Sequence, residues 1–212
     1  MRLTKMGHAC VRLEKDGAIL VIDPGAYSGP DSLDMADAVL VTHEHFDHMQ
    51  PDTLRAAIAG NPDLRLWAPS SVASQFTDLG DRVRAVAHGD EFTAAGFAVH
   101  VYGSQHALLH PDIPVVANVG FLVDGEVFHP GDAFTVPEEP VGTLLLPIAG
   151  PWLKLSEMID YGRAVAPRQG YAIHDAVLSH IGLGVTERFL GLAAGTTGAV
   201  FTRLEPGTTV EV

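Results

Sequence analysis

The chain has 212 residues, 47% of them hydrophobic and 18% charged, with a formal charge of −13. That length supports one substantial core, and no run reaches the roughly 18 uninterrupted apolar residues of a membrane span. Thirteen Lys and Arg against 26 Asp and Glu disfavour a nucleic-acid partner held through phosphates, and the single cysteine, Cys10, excludes an intramolecular disulfide framework or a cysteine-rich zinc site.

In chain order, "RLTKM", "CVRLE" and "AILVID" predict strands, with a hairpin turn at Asp16-Gly17 between the last two. Cys10 reads as a small buried side chain rather than a nucleophile. "AVLVTH" predicts a buried strand running straight into a polar loop. "PDTLRAAIAG" has Leu54, Ala57 and Ile58 at helical spacing. "LRLWAP" is a strand, and "SSVASQFTDLG" is a helix opening on serines and ending at a glycine. "FAVHVYG" follows as a strand. "VGFLVDGEVFHPGD" is a second hairpin with Asp-Gly at its turn. "GTLLLPIAG" and "GYAIHDAV" are strands, with a helix from Ser156 to before Pro167 between them and another starting at Thr186. Hairpin-linked strands followed by alternating strands and helices predict a mixed α/β fold in one domain, residues 1–212, with a coarse two-half organisation left open. The N-terminus lacks a signal-peptide core, so a cytoplasmic protein is expected.

The chemistry concentrates in "VTHEHFDHMQ", where His43, His45, Asp47 and His48 fall within six residues at a strand end. Imidazole suits zinc and iron, and carboxylate adds affinity for manganese. Four side chains on one tight turn point in diverging directions, and a closed four-ligand site leaves no position for water. His43 and His45 therefore turn toward one ion, and Asp47 and His48 toward another. Glu44 and Phe46 read as spacers, with Glu44 solvated and Phe46 packed under the loop. Each pair of ligands needs more donors, and His106 in "GSQHALLH", Asp132 in "HPGDAF" and His174 in "YAIHDAV" are candidates at later strand ends.

These residues resemble the metallo-β-lactamase fold superfamily of metal-dependent hydrolases over nearly the whole chain. "THEHFDH" matches its H-x-H-x-D-H signature, and "AILVIDPG" its early strand–Asp–Gly element. "MGHACVRLE", "ANVGFLVDGEVFHPGD" and "LLLPIAGPW" look like the small bacterial proteins related to ascorbate-6-phosphate lactonase and phospholipase D-type phosphodiesterases. The resemblance implies an αββα four-layer sandwich with metals at one edge of its paired sheets. It implies His43, His45 and His106 on the first ion, Asp47, His48 and His174 on the second, Asp132 bridging them, and Asp23 supporting the ligand loop.

Two divalent ions about 3.5–4 Å apart share a water and lower its pKa. The expected cofactors are two zinc ions, with manganese or iron as alternatives. A metal-bridging hydroxide would attack a phosphodiester, ester, thioester or lactone of a small or lipid-like substrate, anionic or ester-like, with Asp47 and Asp132 in the catalytic centre. His8 in "GHA" and His110 are the candidate proton donors to the leaving group. Tyr27, Lys154 and His180 are weaker candidates for substrate contacts. His129 reads as a ligand support or a turn residue. Trp152 and Leu153 in "PIAGPWLKL" serve as a pocket wall, core, or a contact between copies of a homo-oligomer. Competing readings are an iron-dependent redox or dioxygenase protein, a non-catalytic metal-binding protein, and a nuclease, which the acidic charge disfavours. A Ser-His-Asp triad lacks its G-x-S-x-G elbow.

Overall fold

Fourteen strands form two seven-stranded sheets in the computed structural model, which describes residues 1–212. The first contains β1 (Arg2–Lys5), β2 (Val11–Lys15), β3 (Ala18–Ile22), β4 (Ala38–Leu40), β5 (Arg65–Ala68), β6 (Val83–Ala85) and β14 (Thr209–Glu211). Its order is β14-β1-β2-β3-β4-β5-β6. The second contains β7 (Glu91–Ala94), β8 (Phe97–Tyr102), β9 (Gly120–Val123), β10 (Val127–His129), β11 (Thr143–Pro147), β12 (Gln169–Ile173) and β13 (Val200–Arg203), in the order β13-β12-β11-β10-β9-β8-β7.

Each sheet begins antiparallel and becomes parallel. β1, β2 and β3 pair as hairpins, and β3 to β6 run parallel. β7 to β10 are antiparallel, and β10 to β13 parallel. The repeated topology gives the two-half organisation a structural form. Both predicted Asp-Gly turns sit in the left-handed region, with φ of 53° and 86° at Asp16-Gly17 and 53° and 63° at Asp124-Gly125. That backbone matches the twist of the flanking strands.

Four helices cover the sheets: α1 (Pro51–Gly60), α2 (Ser70–Ala73), α3 (Leu155–Val165) and α4 (His180–Ala193). Leu54 and Ile58 of α1 pack with Val21, Val39 and Leu66 on the outer face of the first sheet. Met158 of α3 and Leu190 of α4 pack with Leu122, Leu144 and Leu146 outside the second. Between the sheets a third core joins Leu13, Leu20 and Leu40 to Phe97, Phe121 and Leu145. Each such fully buried Leu or Phe contributes about 1.5–3 kcal/mol. Helix, sheet, sheet and helix therefore stack as the αββα sandwich. No helix is long and apolar enough to cross a membrane.

Two predicted helices differ from the structure, and four strands were not predicted. The helix expected across "SSVASQFTDLG" is a single turn, α2, followed by a 3-10 segment over Ser74–Arg82 that breaks where Phe76 (φ −126°) and Gly80 (φ 61°) leave helical geometry. α4 starts at His180, six residues before Thr186, because Ser179 caps it by accepting from the Gly182 N–H at 3.1 Å. Gly182 and Gly184 had weakened the helical signal of that first turn. Four strands without a predicted counterpart, β6, β7, β13 and β14, lie at or beside sheet edges, where partial exposure removes the apolar alternation.

Candidate metal centre

The loops after β3, β4, β8, β10 and β12 meet at one edge of the two sheets. After β4 the chain leaves the sheet at Thr42, and the His48 and Met49 N–H groups both donate to His45 O, at 3.0 and 2.9 Å. This tight turn presents its side chains in two directions. Gly25 makes the packing of the turn feasible, since a Cβ there would lie 1.9 Å from Asp47 O. The turn carrying Asp132 is clamped by Asn118, whose Nδ2 donates to Pro130 O at 2.9 Å and whose Oδ1 accepts from the Asp132 N–H at 3.0 Å. His129 donates from Nε2 to Ala9 O at 2.8 Å and accepts at Nδ1 from the Gly131 N–H at 3.1 Å. Both its nitrogens are occupied, so it supports the turn.

Two groups of ligand atoms result, each within 4.8 Å of one another: His43, His45, His106 and Asp132, and His8, Asp47, His48 and His174. Asp132 stands between them. Its Oδ1 is 3.1 Å from His48 Nε2, and its Oδ2 is 3.0 Å from His174 Nε2, 3.3 Å from His106 Nε2 and 3.9 Å from His43 Nε2. His48 Nε2, His106 Nε2, both ring nitrogens of His174 and Asp132 Oδ1 are buried without an aligned hydrogen-bond partner. Leaving five such atoms unsatisfied would cost about 1–3 kcal/mol each. A cation placed among them removes that cost, so the donor set fits bound metal.

Protonation at His43 and His45 points the same way, whereas at His48, against burial, Asp132 and Asp23 hold a proton well above the ordinary imidazole range that a bound cation would have to displace. Burial and the neighbouring His48 push His43 well below the ordinary imidazole range, and burial and His106 lower His45. Both are thus neutral with a lone pair to offer. Burial alone would raise the Asp132 carboxyl, but His48, His106 and His174 hold it well below the carboxylate range. Burial likewise opposes ionisation of Asp47, yet His8, His48 and His174 bring it down to about 2.

Asp23 organises both groups from behind. It is fully buried, adopts φ of 54°, and accepts from the Thr42 N–H and Oγ1–H, both at 2.7 Å. Because Thr42 spends its proton on Asp23, its oxygen accepts from His43 Nδ1 at 3.0 Å. Asp23 Oδ2 also accepts from His48 Nδ1 at 2.7 Å. Both rings therefore carry hydrogen on Nδ1 and turn Nε2 toward the site. His106 does the same by donating from Nδ1 to Ala107 O at 2.6 Å.

His8 has the opposite tautomer. Its Nδ1 accepts from the Ala176 N–H at 3.1 Å, so the hydrogen sits on Nε2, 3.3 Å from Asp47 Oδ2. Although grouped with side chains that could hold a metal, it presents a hydrogen-bond donor to Asp47 rather than a lone pair. His110 is elsewhere: its side chain is 61% exposed and accepts from the Asp112 N–H. It does not line the pocket over the clusters, and neither do His180 and Lys154.

That pocket has a volume of about 330 Å³ and includes Tyr27, Leu109, Trp152 and Val177. Trp152 is buried, and its Nε1–H donates to Asp132 Oδ2 at 2.9 Å. No local motif announced this role; an aromatic beside a Gly-Pro turn was the only signal. Phe46 does not pack under its loop. It is 60% exposed, meets Tyr27 edge to face at 5.6 Å and lines the pocket mouth. Behind His174, buried Lys5 pairs with Asp175 at 2.6 Å, and Arg203 reaches the same carboxylate oxygen at 2.8 Å.

Residues 2–174 match the beta-lactamase superfamily domain. The Mycobacterium tuberculosis protein Rv0786c is 40% identical over 191 residues, covering 87% of this chain and 89% of its own length. A UPF0173 metal-dependent hydrolase of Methanosphaerula palustris is 32% identical over 165 residues, covering 71% and 72%. Igni18, a metallo hydrolase from Ignicoccus hospitalis, shares the fold with a TM-score of 0.76 at 21% identity, covering 99% and 97%. The chain belongs to the beta-lactamase superfamily and is a metal-dependent hydrolase of the metallo-β-lactamase fold.

Proposed function

We propose that the chain hydrolyses an ester, lactone or phosphodiester of a small substrate at a centre of two divalent ions, with zinc the first choice and manganese or iron the alternatives. His43, His45 and His106 would hold one ion, Asp47, His48 and His174 the other, and Asp132 would lie between them. The observation that carries this reading is the set of buried, unpartnered donor atoms arrayed on two sides of Asp132. Divalent ions bound there supply a water of lowered pKa and positive charge opposite a developing oxyanion.

The protein's own groups then have separate tasks. Asp23 holds His43 and His48 in the tautomers that face the site. Trp152 fixes Asp132 through its indole N–H and closes one wall against water. His8 lies beneath the pocket lining and directs its Nε2–H at Asp47 Oδ2, so it orients that carboxylate rather than reaching a leaving group itself. No side chain needs to act as a nucleophile. Burial lowers the His8 pKa below the ordinary imidazole range, against the pull of Asp47, so it works as a neutral donor oriented by Ala176.

The test is to purify the protein with its native metal, measure metal content, and assay phosphodiesters, lactones and thioesters. Two zinc or manganese ions with turnover support the reading. Iron with oxygen consumption and no hydrolysis would overturn it.

A further inference from the structure

We infer that the substrate is a neutral ester or lactone carrying a short apolar substituent, rather than a phosphorylated or otherwise anionic molecule; this rests on the hydrolase reading above. The pocket has eleven lining residues. Five are metal-centre side chains: His45, Asp47, His106, Asp132 and His174. The other six are Tyr27, Phe46, Leu109, Pro151, Trp152 and Val177. No Lys, Arg, Ser, Thr, Asn or Gln is among them. A phosphate on the non-reacting part of a substrate would find no cationic side chain there, only the Tyr27 hydroxyl, and would lose hydration against the apolar walls. The formal charge of −13 also opposes the approach of an anion.

The apolar wall is built outward as well as inward. Tyr27 is 43% exposed and Val177 51% exposed, and with Phe46 they border the opening. The segment that contributes Leu109 also exposes Leu108, Ile113 and Val115. Exposed apolar groups bordering a concave site mark where an apolar ligand is received. The volume of about 330 Å³ lies near the small end of ligand sites, which fits a ring or short chain and excludes a polymer.

In the reaction one water is consumed. Its oxygen bonds to the acyl carbon, the acyl C–O bond breaks, and of the water's two protons one ends on the leaving oxygen and the other is released to solvent. The products are a carboxylate and an alcohol, or one hydroxy carboxylate from a lactone, and one proton.

The experiment uses the full chain loaded with zinc. Substrates are p-nitrophenyl acetate, butanoate, hexanoate and octanoate, a hexyl-substituted γ-lactone, the same lactone with its chain ending in a phosphate, and bis-p-nitrophenyl phosphate. The expected result is kcat/KM rising about fourfold per added methylene until the pocket fills, with the phosphorylated lactone at least tenfold poorer than its neutral counterpart. Val177→Lys should narrow or reverse that tenfold preference, and Phe46→Ser should flatten the chain-length dependence. Equal or better turnover of either phosphorylated probe by the wild type would overturn the inference. Absence of turnover on every probe with two metals bound would instead sink the hydrolase reading. A binding arm remains informative in that event: calorimetry should show a hexyl-substituted γ-lactam binding at least tenfold more tightly than the unsubstituted lactam, and equal affinities would contradict the apolar wall.

Discussion

The base and the mouth of the metal centre are built on opposite principles. At the base, Asp23, Thr42, His43 and His48 are fully buried and joined by hydrogen bonds that leave each imidazole one way to face. At the mouth, Phe46, Tyr27 and Val177 are half exposed and make few polar contacts. Metal binding demands ligands held to a fraction of an ångström, and a shell of buried hydrogen bonds supplies that. Substrate selection by apolar contact is tolerant of position and scales with area. The same six-residue loop serves both ends, since His43, Asp47 and His48 point inward while Phe46 points out.

The largest effect that separates the two regions is Asp132→Ala. It should lower turnover by on the order of 10³-fold and reduce metal content, read by elemental analysis; full activity with two bound metals would remove Asp132 from the centre. Next comes Lys5→Ala, which leaves Asp175 with only Arg203 in a buried pair behind His174. Breaking such a pair costs about 3 kcal/mol or more, visible as an earlier denaturant midpoint with an unchanged slope. Asp23→Asn should weaken metal binding about 10–100-fold at both ions, because Asp23 orients one ligand of each. Thr42→Val removes the partner of His43 and one donor to Asp23 but keeps the Asp23–His48 bond, so calorimetry should then show one affinity reduced far more than the other. Equal loss at both ions in Thr42→Val would break the proposed relay. At the mouth, Phe46→Ser should leave metal stoichiometry at the wild-type value and raise KM severalfold for apolar substrates.

A further effect lies outside both regions, in stability at high pH. Burial pushes the Cys10 thiol up to about 12, from an ordinary value near 9. Its folded pKa thus exceeds its unfolded one. The stability it contributes is fully present below the unfolded value and is lost as pH rises from about 9 toward 12. Denaturant titrations should show wild type losing stability across that window more steeply than Cys10→Ala. Parallel curves would mean that the thiolate is tolerated in the folded chain.

Much of the base was legible in the sequence because its chemistry is local. Four of its donors lie in "HEHFDH", and His106, Asp132 and His174 each follow a readable strand. The tautomer logic was not legible: Asp23 and His48 are 25 residues apart, and only the folded loop shows that one carboxylate serves two rings. Trp152 was ambiguous for the same reason, since its partner Asp132 lies on a different strand-end loop. His8 and His110 were both sequence candidates for the proton donor. Their environments differ completely, one buried with its Nδ1 held by Ala176 and the other exposed beside Asp112. Phe46 was misread as a loop anchor because hydrophobicity suggests burial, whereas a ligand site keeps apolar side chains in the open. The sheets followed from central strands with continuous apolar runs, while edge strands such as β14 carry little apolar signal.

Two groups of side chains, sharing Asp132, are proposed to hold two ions. Metal titration of the apo protein by calorimetry, with elemental analysis of the dialysed product, tests this directly. Wild type should bind two equivalents per chain, with His43→Ala and His48→Ala each weakening a different one. A single equivalent, lost equally in both variants, would contradict it.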